Sequence, residues 1–364
     1  MTTAVPFVWR NTMNSRRLCA ALLALVVVIA AGCSPGAPRS TLTVYSPSGL
    51  GSWYKARFDE FTKETGIAVT LFEAGSGEVV SRVNSPGVWK QLEPEGSVPP
   101  ADLLVTLPPF IQKAAKAGLL QPSGADTAGI SPSEVGPDGL FVPIAKTALC
   151  FVANPGANPV PATWNDLLRP DLKGKLQYST PGEAGDGTAM LILLQHLMGK
   201  PAALDFFAEL QKNNVGPSKS TGALQPKVSS GELLVANGDV QMNLASIAND
   251  GSKFGIFFPA MPDNSRTTIA LSYGAGVTAQ SQQPEAAKKL LAFLLSDAAQ
   301  KAVFTEAFGI PVRDTVAAQM TADQTGRVTP TSLLKDVTLW APDWDVVLAE
   351  LDADLEAYRK ATGS

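Results

Sequence analysis

The chain has 364 residues, 29 Lys+Arg against 33 Asp+Glu, a single His and three Cys. This length supports a core that needs no staple and suggests two domains. A net charge of −4 without a basic block argues against a nucleic-acid binder, and one His with three scattered Cys argues against a metal cluster.

Leu18–Ala31 (LCAALLALVVVIAA) is uncharged, 14 residues long and preceded by Arg16 and Arg17. A spanning helix needs about 20 apolar residues, so this segment reads as a signal-peptide core. It ends in Ile29-Ala30-Ala31-Gly32-Cys33, which resembles the bacterial lipoprotein processing site. The resemblance implies cleavage before Cys33 and lipid on its thiol and amine. Residues 1–32 are then a signal peptide and 33–40 a lipidated terminus and tether, holding an exported protein at the outer face of the cell membrane. Cys150, within the apolar run Thr147–Val152, is expected to be a buried small hydrophobe.

From Thr41 onward, strand-like runs alternate with helical patterns. Thr41–Tyr45 predicts a strand and Trp53–Thr65 a helix closed by Gly66. Ile67–Phe72 predicts a strand and Glu78–Val83 a helix. Ala101–Thr106 predicts a continuous apolar strand, and Phe110–Ala117 a helix stopped at Gly118. This alternation implies parallel βαβ units. The Pro/Gly-rich stretch Asn84–Pro100 predicts an exposed loop.

Leu140–Ala153 predicts two extended runs around Pro143, Trp164–Leu168 a short helix and Lys175–Tyr178 a strand. Gly187–Met198, Ala202–Lys212 and Leu224–Ser230 predict helices, then Val240–Leu244 and Gly255–Phe258 extended segments. Thr268–Ala279 is β-rich, Pro284–Leu295 and Ala298–Phe308 are helical, and Trp340–Ala361 is a terminal helical region.

Val44-Tyr45-Ser46, Phe61–Ile67 (FTKETGI), Glu73–Glu78 (EAGSGE) and Ala101–Val105 (ADLLV) occur in that order. Ser296–Gln300 (SDAAQ) and Gly309–Val312 (GIPV) follow. The series resembles the extracellular solute-binding proteins of ABC importers, in the type II periplasmic-binding fold shared with ferric-ion and polyamine binders. A closer resemblance is to the 2-aminoethylphosphonate-binding group, carried by Glu73–Arg82, Leu104–Ala115, Ser179–Ala189 and Gly216–Val228.

It implies an α/β fold of two lobes, each a mostly parallel sheet flanked by helices, with the ligand cleft between them. Lobe one takes residues 41–145 plus 275–364 and lobe two 146–274. The implied protein is a monomer without enzymatic activity, cofactor or metal. It would capture a small anionic or zwitterionic solute, an organophosphonate, and deliver it to an ABC permease.

The residues point the same way. In open α/β sheets ligands sit beyond the carboxyl ends of the strands. Ser46 and Ser48 follow the first strand; Gly75, Ser76 and Gly77 follow the second and enter a helix. Glycine admits close backbone approach, hydroxyls donate, and a helix N-terminus attracts an anion.

Asp186-Gly187-Thr188 opens another helix, with Ser179 upstream. Ser220 and Thr221 form a second hydroxyl-rich entry, and Thr106 ends an apolar strand. An amine-bearing ligand needs a counter-charge, for which Glu78, Glu183 and Asp186 are candidates, with Tyr178 or Tyr273 beside them. Ligand contact is therefore assigned to Ser46, Ser48, Gly75, Ser76, Gly77, Thr106, Ser179, Asp186, Gly187, Thr188, Ser220, Thr221 and Tyr273.

Three alternatives compete. Ferric binding is disfavoured by only five Tyr and no Tyr-Tyr pair. Polyamine binding would want more carboxylates and aromatics in these loops. A Ser-dependent hydrolase is disfavoured because the one His, His196, falls on an apolar helix with no nucleophile elbow in the sequence.

Overall fold

The computed structural model describes residues 41–92, 98–320 and 327–363. The predicted leader, Cys33 and the tether lie outside the described residues.

The strands are β1 (Thr41–Ser46), β2 (Ala68–Glu73), β3 (Leu103–Thr106), β4 (Leu120–Gln121) and β5 (Val142–Ala153). They continue as β6 (Leu176–Gln177), β7 (Val235–Asp239), β8 (Gly255–Phe257), β9 (Thr267–Thr278) and β10 (Thr338–Trp340). Their main path runs β2-β1-β3-β9-β5-β7-β6. β1 lies parallel to β2 and β3, with Thr41 opposite Ala68 and Ser46 opposite Glu73.

The βαβ reading therefore holds for β1–β3, where helix Gly51–Thr65 makes the first crossover. Beyond them the sheet is mixed rather than mostly parallel. β9 runs antiparallel to β3 and β5 and β5 antiparallel to β7, while β6 lies parallel to β7 and β10 parallel to β9. The cause is that β5 and β9 are each 12 residues long and serve two sets of neighbours. Val142–Ala148 of β5 pairs with β9, while Leu149–Ala153 pairs with β7. These two long strands join a β1–β3 half to a β6–β8 half.

Burial follows the sequence pattern. Every residue of β3 is buried, as expected for a strand covered on both faces. Trp53, Tyr54, Phe58 and Phe61 pack helix Gly51–Thr65 on the sheet, and Gly66 closes it in the left-handed conformation at φ 75°. The first ten residues of helix Gly185–Met198 are all buried, so that helix is central rather than amphipathic.

Four local expectations are corrected. Val240–Leu244 is not extended but opens helix Val240–Asp250. The strand ends one residue earlier, at Asp239, whose carboxylate caps the helix by accepting from Met242 N at 2.9 Å. Leu140–Ala153 holds one strand, Val142–Ala153, rather than two runs, because the disturbance at Pro143 is absorbed by a register shift between Pro143 and Ala145.

The 84–100 stretch contains a helix, Pro86–Leu92, whose Trp89 ring lies 4.0 Å from the Arg82 guanidinium carbon. His196, on the helix that reads as apolar, is exposed near the end of that helix and stacks on Trp340 at 3.8 Å.

The terminal helix, Trp344–Thr362, packs on helix Lys200–Leu210. Tyr358 meets Phe207 edge-on at 5.2 Å, its hydroxyl lies 2.9 Å from that of Tyr178, and Lys200 pairs with Glu350 and Asp354.

Candidate ligand cleft

The carboxyl ends of β1 and β2 feed the loops Pro47–Leu50 and Ala74-Gly75. Opposite them lie the turn before helix Gly185–Met198 and the loop 218–222. Together they enclose a cavity of ≈ 20 Å³, room for about one water. Its lining includes Ser48, Gly75, Ser76, Leu107, Gly185, Asp186, Ser220, Thr221, Gly222 and Asp239. Two helices, Ser76–Asn84 and Gly185–Met198, begin at this cavity and turn their positive ends toward it.

The facing loops touch. Gly77 N donates to Glu183 O at 2.9 Å. A side chain on Gly75 would collide with the carbonyl of Lys219, so glycine is required for this approach.

Behind the cavity lies a hydrogen-bonded polar layer. Ser46 Oγ donates to Pro47 O at 3.0 Å and lies 3.1 Å from the Tyr54 hydroxyl. Ser179 Oγ accepts from Thr221 Oγ1 and Asn237 Nδ2, each at 3.1 Å. Gln241 Nε2 donates to Gly49 O at 2.9 Å and Ala307 O at 2.6 Å, tying the β1 loop to the far side. The Tyr273 hydroxyl sits between Asp239 Oδ2 (3.2 Å) and Gln241 Oε1 (3.3 Å).

Two carboxyl groups sit in this layer. Asp239 is well served: Thr147 Oγ1 donates to its Oδ1 at 2.8 Å and Met242 N at 2.9 Å. Asp186 is not, since its Oδ1 is buried with no hydrogen-bond partner among the described residues. Desolvation pushes the Asp186 carboxyl well above the usual carboxylate range, and the negative charge of Asp239 adds to it. Desolvation also raises Asp239, against the hydrogen bonds that hold it ionised. Burial and the Asp239 charge keep the Tyr273 phenol neutral.

Of the residues proposed from sequence, the fold brings Ser48, Gly75, Ser76, Asp186, Ser220 and Thr221 to the cavity wall. Gly77 lies one step outside, on an open pocket of ≈ 400 Å³ with Glu78, Glu183, Lys113 and Lys219. Ser46, Ser179 and Tyr273 form the layer behind the wall. The Thr106 hydroxyl donates to Ser76 O at 3.3 Å and so positions that loop.

Gly187 and Thr188 face the protein interior. Gly187 packs against the Ser179 backbone, and Thr188 Oγ1 donates to Ala184 O while accepting from Gly182 N. Glu78 is paired with Arg82 at 2.8 Å, and the Tyr178 hydroxyl donates to Gln211 Oε1 at 2.6 Å, away from the cavity.

Sequence reading missed Asp239, Asn237 and Gln241. The signal was present: an Asp before a helical pattern is an N-cap. Reading Val240–Leu244 as extended hid it.

Residues 42–309 match the bacterial extracellular solute-binding protein family, and the chain belongs to it. Its members are binding proteins rather than enzymes, and they deliver small solutes to ABC permeases. Over 348 residues, 94% of this chain and 98% of the relative, it is 42% identical to a Salmonella typhimurium protein named "Putative 2-aminoethylphosphonate-binding periplasmic protein". It is 29% identical to the Fe(3+)-binding periplasmic protein of Serratia marcescens, over 58% of this chain and 61% of that protein.

Among solved structures, the periplasmic binding protein AfuA from Actinobacillus pleuropneumoniae, with fructose-6-phosphate bound, superposes with a TM-score of 0.71. The two are 19% identical, with 89% of this chain and 99% of that one covered. A periplasmic thiamin binding protein also gives 0.71 at 19% identity, covering 91% and 99%. These structures establish the two-lobed periplasmic-binding fold.

Proposed function

We propose that this chain captures a small organophosphonate, 2-aminoethylphosphonate or a close analogue, and hands it to an ABC permease while held at the membrane by lipid on Cys33. The observation that carries the reading is the convergence of two helix N-termini and the hydroxyls of Ser48, Ser76, Ser220 and Thr221 on one cavity. Backbone amides and hydroxyls of this kind suit a phosphonate without Lys or Arg.

The 42% identity to a protein named for 2-aminoethylphosphonate supports the choice of solute, whereas the iron-named relative matches less of the chain at lower identity. Residues 41–145 with 275–364 form the first lobe and 146–274 the second, with the terminal helix reaching back onto helix Lys200–Leu210. The cavity is smaller than such a solute, so the lobes open to admit it and close by hinge bending.

Calorimetric titration with 2-aminoethylphosphonate, ethylphosphonate, phosphate, spermidine and ferric citrate tests this. The expected result is one-to-one binding of the aminophosphonate with a smaller radius of gyration on saturation. Saturable binding of ferric ion or polyamine with none of phosphonates overturns it.

A further inference from the structure

We propose that Asp186 and Asp239 form an ammonium subsite in which Asp186 holds a proton until the primary ammonium group of the solute takes its place. The inference rests on the aminophosphonate reading and assigns the residues that would select the amine.

Both carboxyl groups line the same ≈ 20 Å³ cavity and both are nearly fully buried. Two carboxylates cannot both stay ionised in a dry site without a cation. Among the described residues neither forms an ion pair. The titratable groups around them are the Tyr273 and Tyr54 phenols, the Cys150 thiol on Asn243, and each other, none of them cationic.

The hydrogen bonds say where the proton sits. Asp239 receives Thr147, Met242 and Tyr273 and is the ionised member. Asp186 Oδ1 has no hydrogen-bond partner among the described residues, and the one hydroxyl that favours its ionised form, that of Thr221, also donates to Ser179 Oγ. Asp186 therefore carries the proton, and this residue of the cavity wall has one buried oxygen without a partner. When an R–NH₃⁺ group enters, that proton leaves Asp186 for solvent and the ammonium donates to both carboxylates. No bond of the solute is made or broken.

The test compares wild type with Asp186→Asn by calorimetry at pH 7.5, in two buffers of different ionisation heat. Titrants are 2-aminoethylphosphonate and ethylphosphonate. Wild type should release at least half a proton more per aminophosphonate bound than the variant. Asp186→Asn should weaken the aminophosphonate by about 10- to 150-fold while changing ethylphosphonate less than about threefold.

Equal proton release by the two proteins, or equal loss for both ligands, overturns the subsite and leaves the phosphonate reading standing. Should the variant not fold, the wild-type preference decides. If 2-aminoethylphosphonate binds less than about threefold tighter than ethylphosphonate, the subsite is refuted. Binding of neither phosphonate removes both readings.

Discussion

The approach of Gly75 to Lys219 across the cleft can be tested with a single methyl group. Gly75 has φ −62° and ψ 153°, ordinary extended backbone that alanine adopts freely, so Gly75→Ala introduces no backbone strain. The added Cβ would lie too close to the Lys219 carbonyl, with the Glu183 carbonyl at 3.3 Å on its other side. Both neighbours are backbone, so the lips of the cleft must part by on the order of 1 Å or the loops must deform.

Overpacking of this kind costs about 1–3 kcal/mol, charged here to the closed form alone. If, as proposed, the solute is held only by the closed form, Kd should rise about 5- to 150-fold. Gly87→Ala is the control, because its Cβ would meet nothing within 4 Å. Calorimetry gives Kd, and small-angle scattering of the saturated protein should give a larger radius for Gly75→Ala than for wild type. An unchanged Kd and an unchanged radius would refute the idea that these loops close on the solute.

Other predictions concern the buried groups. Burial raises both Asp186 and Asp239, so the folded protein holds more protons than the unfolded chain from about pH 4 upward, and stability falls as pH rises through that window. Asp186→Asn should therefore raise the Tm of the ligand-free protein at pH 7.5 by about 2–6 °C, with the gap closing toward pH 4. A variant less stable than wild type at pH 7.5 would contradict this.

Thr188→Val removes the hydroxyl that accepts from Gly182 N and should cost about 1–3 kcal/mol by urea unfolding. Stability equal to wild type would show that the turn finds another partner. Cys150 is 1 % exposed and its thiol is pushed up by desolvation. In a Cys19→Ser, Cys33→Ser chain it should stay unreactive to a thiol reagent until the protein unfolds, and rapid labelling of the native protein would disprove its burial.

Local sequence determined much of this molecule. Apolar runs with glycine stops fixed β1, β2, β3 and the helices between them, because those segments carry both their period and their terminators. The loops at the carboxyl ends of β1 and β2 were legible for the same reason, since a short Ser/Gly segment between strand and helix has one place to go.

Tertiary structure decided the rest. Nothing local says that β5 and β9 each serve two neighbours, which turns the expected parallel sheet into a mixed one. Asp186 is assigned ligand contact from sequence only as part of a helix entry, with no partner acid in view. Asp239 was hidden by the strand reading of Val240–Leu244. Only folding brings these two acids, about 50 residues apart in sequence, to one cavity wall with Thr147 and Tyr273 behind them. Their chemistry depends on desolvation and on each other's charge, and both belong to position in space rather than to position in the chain.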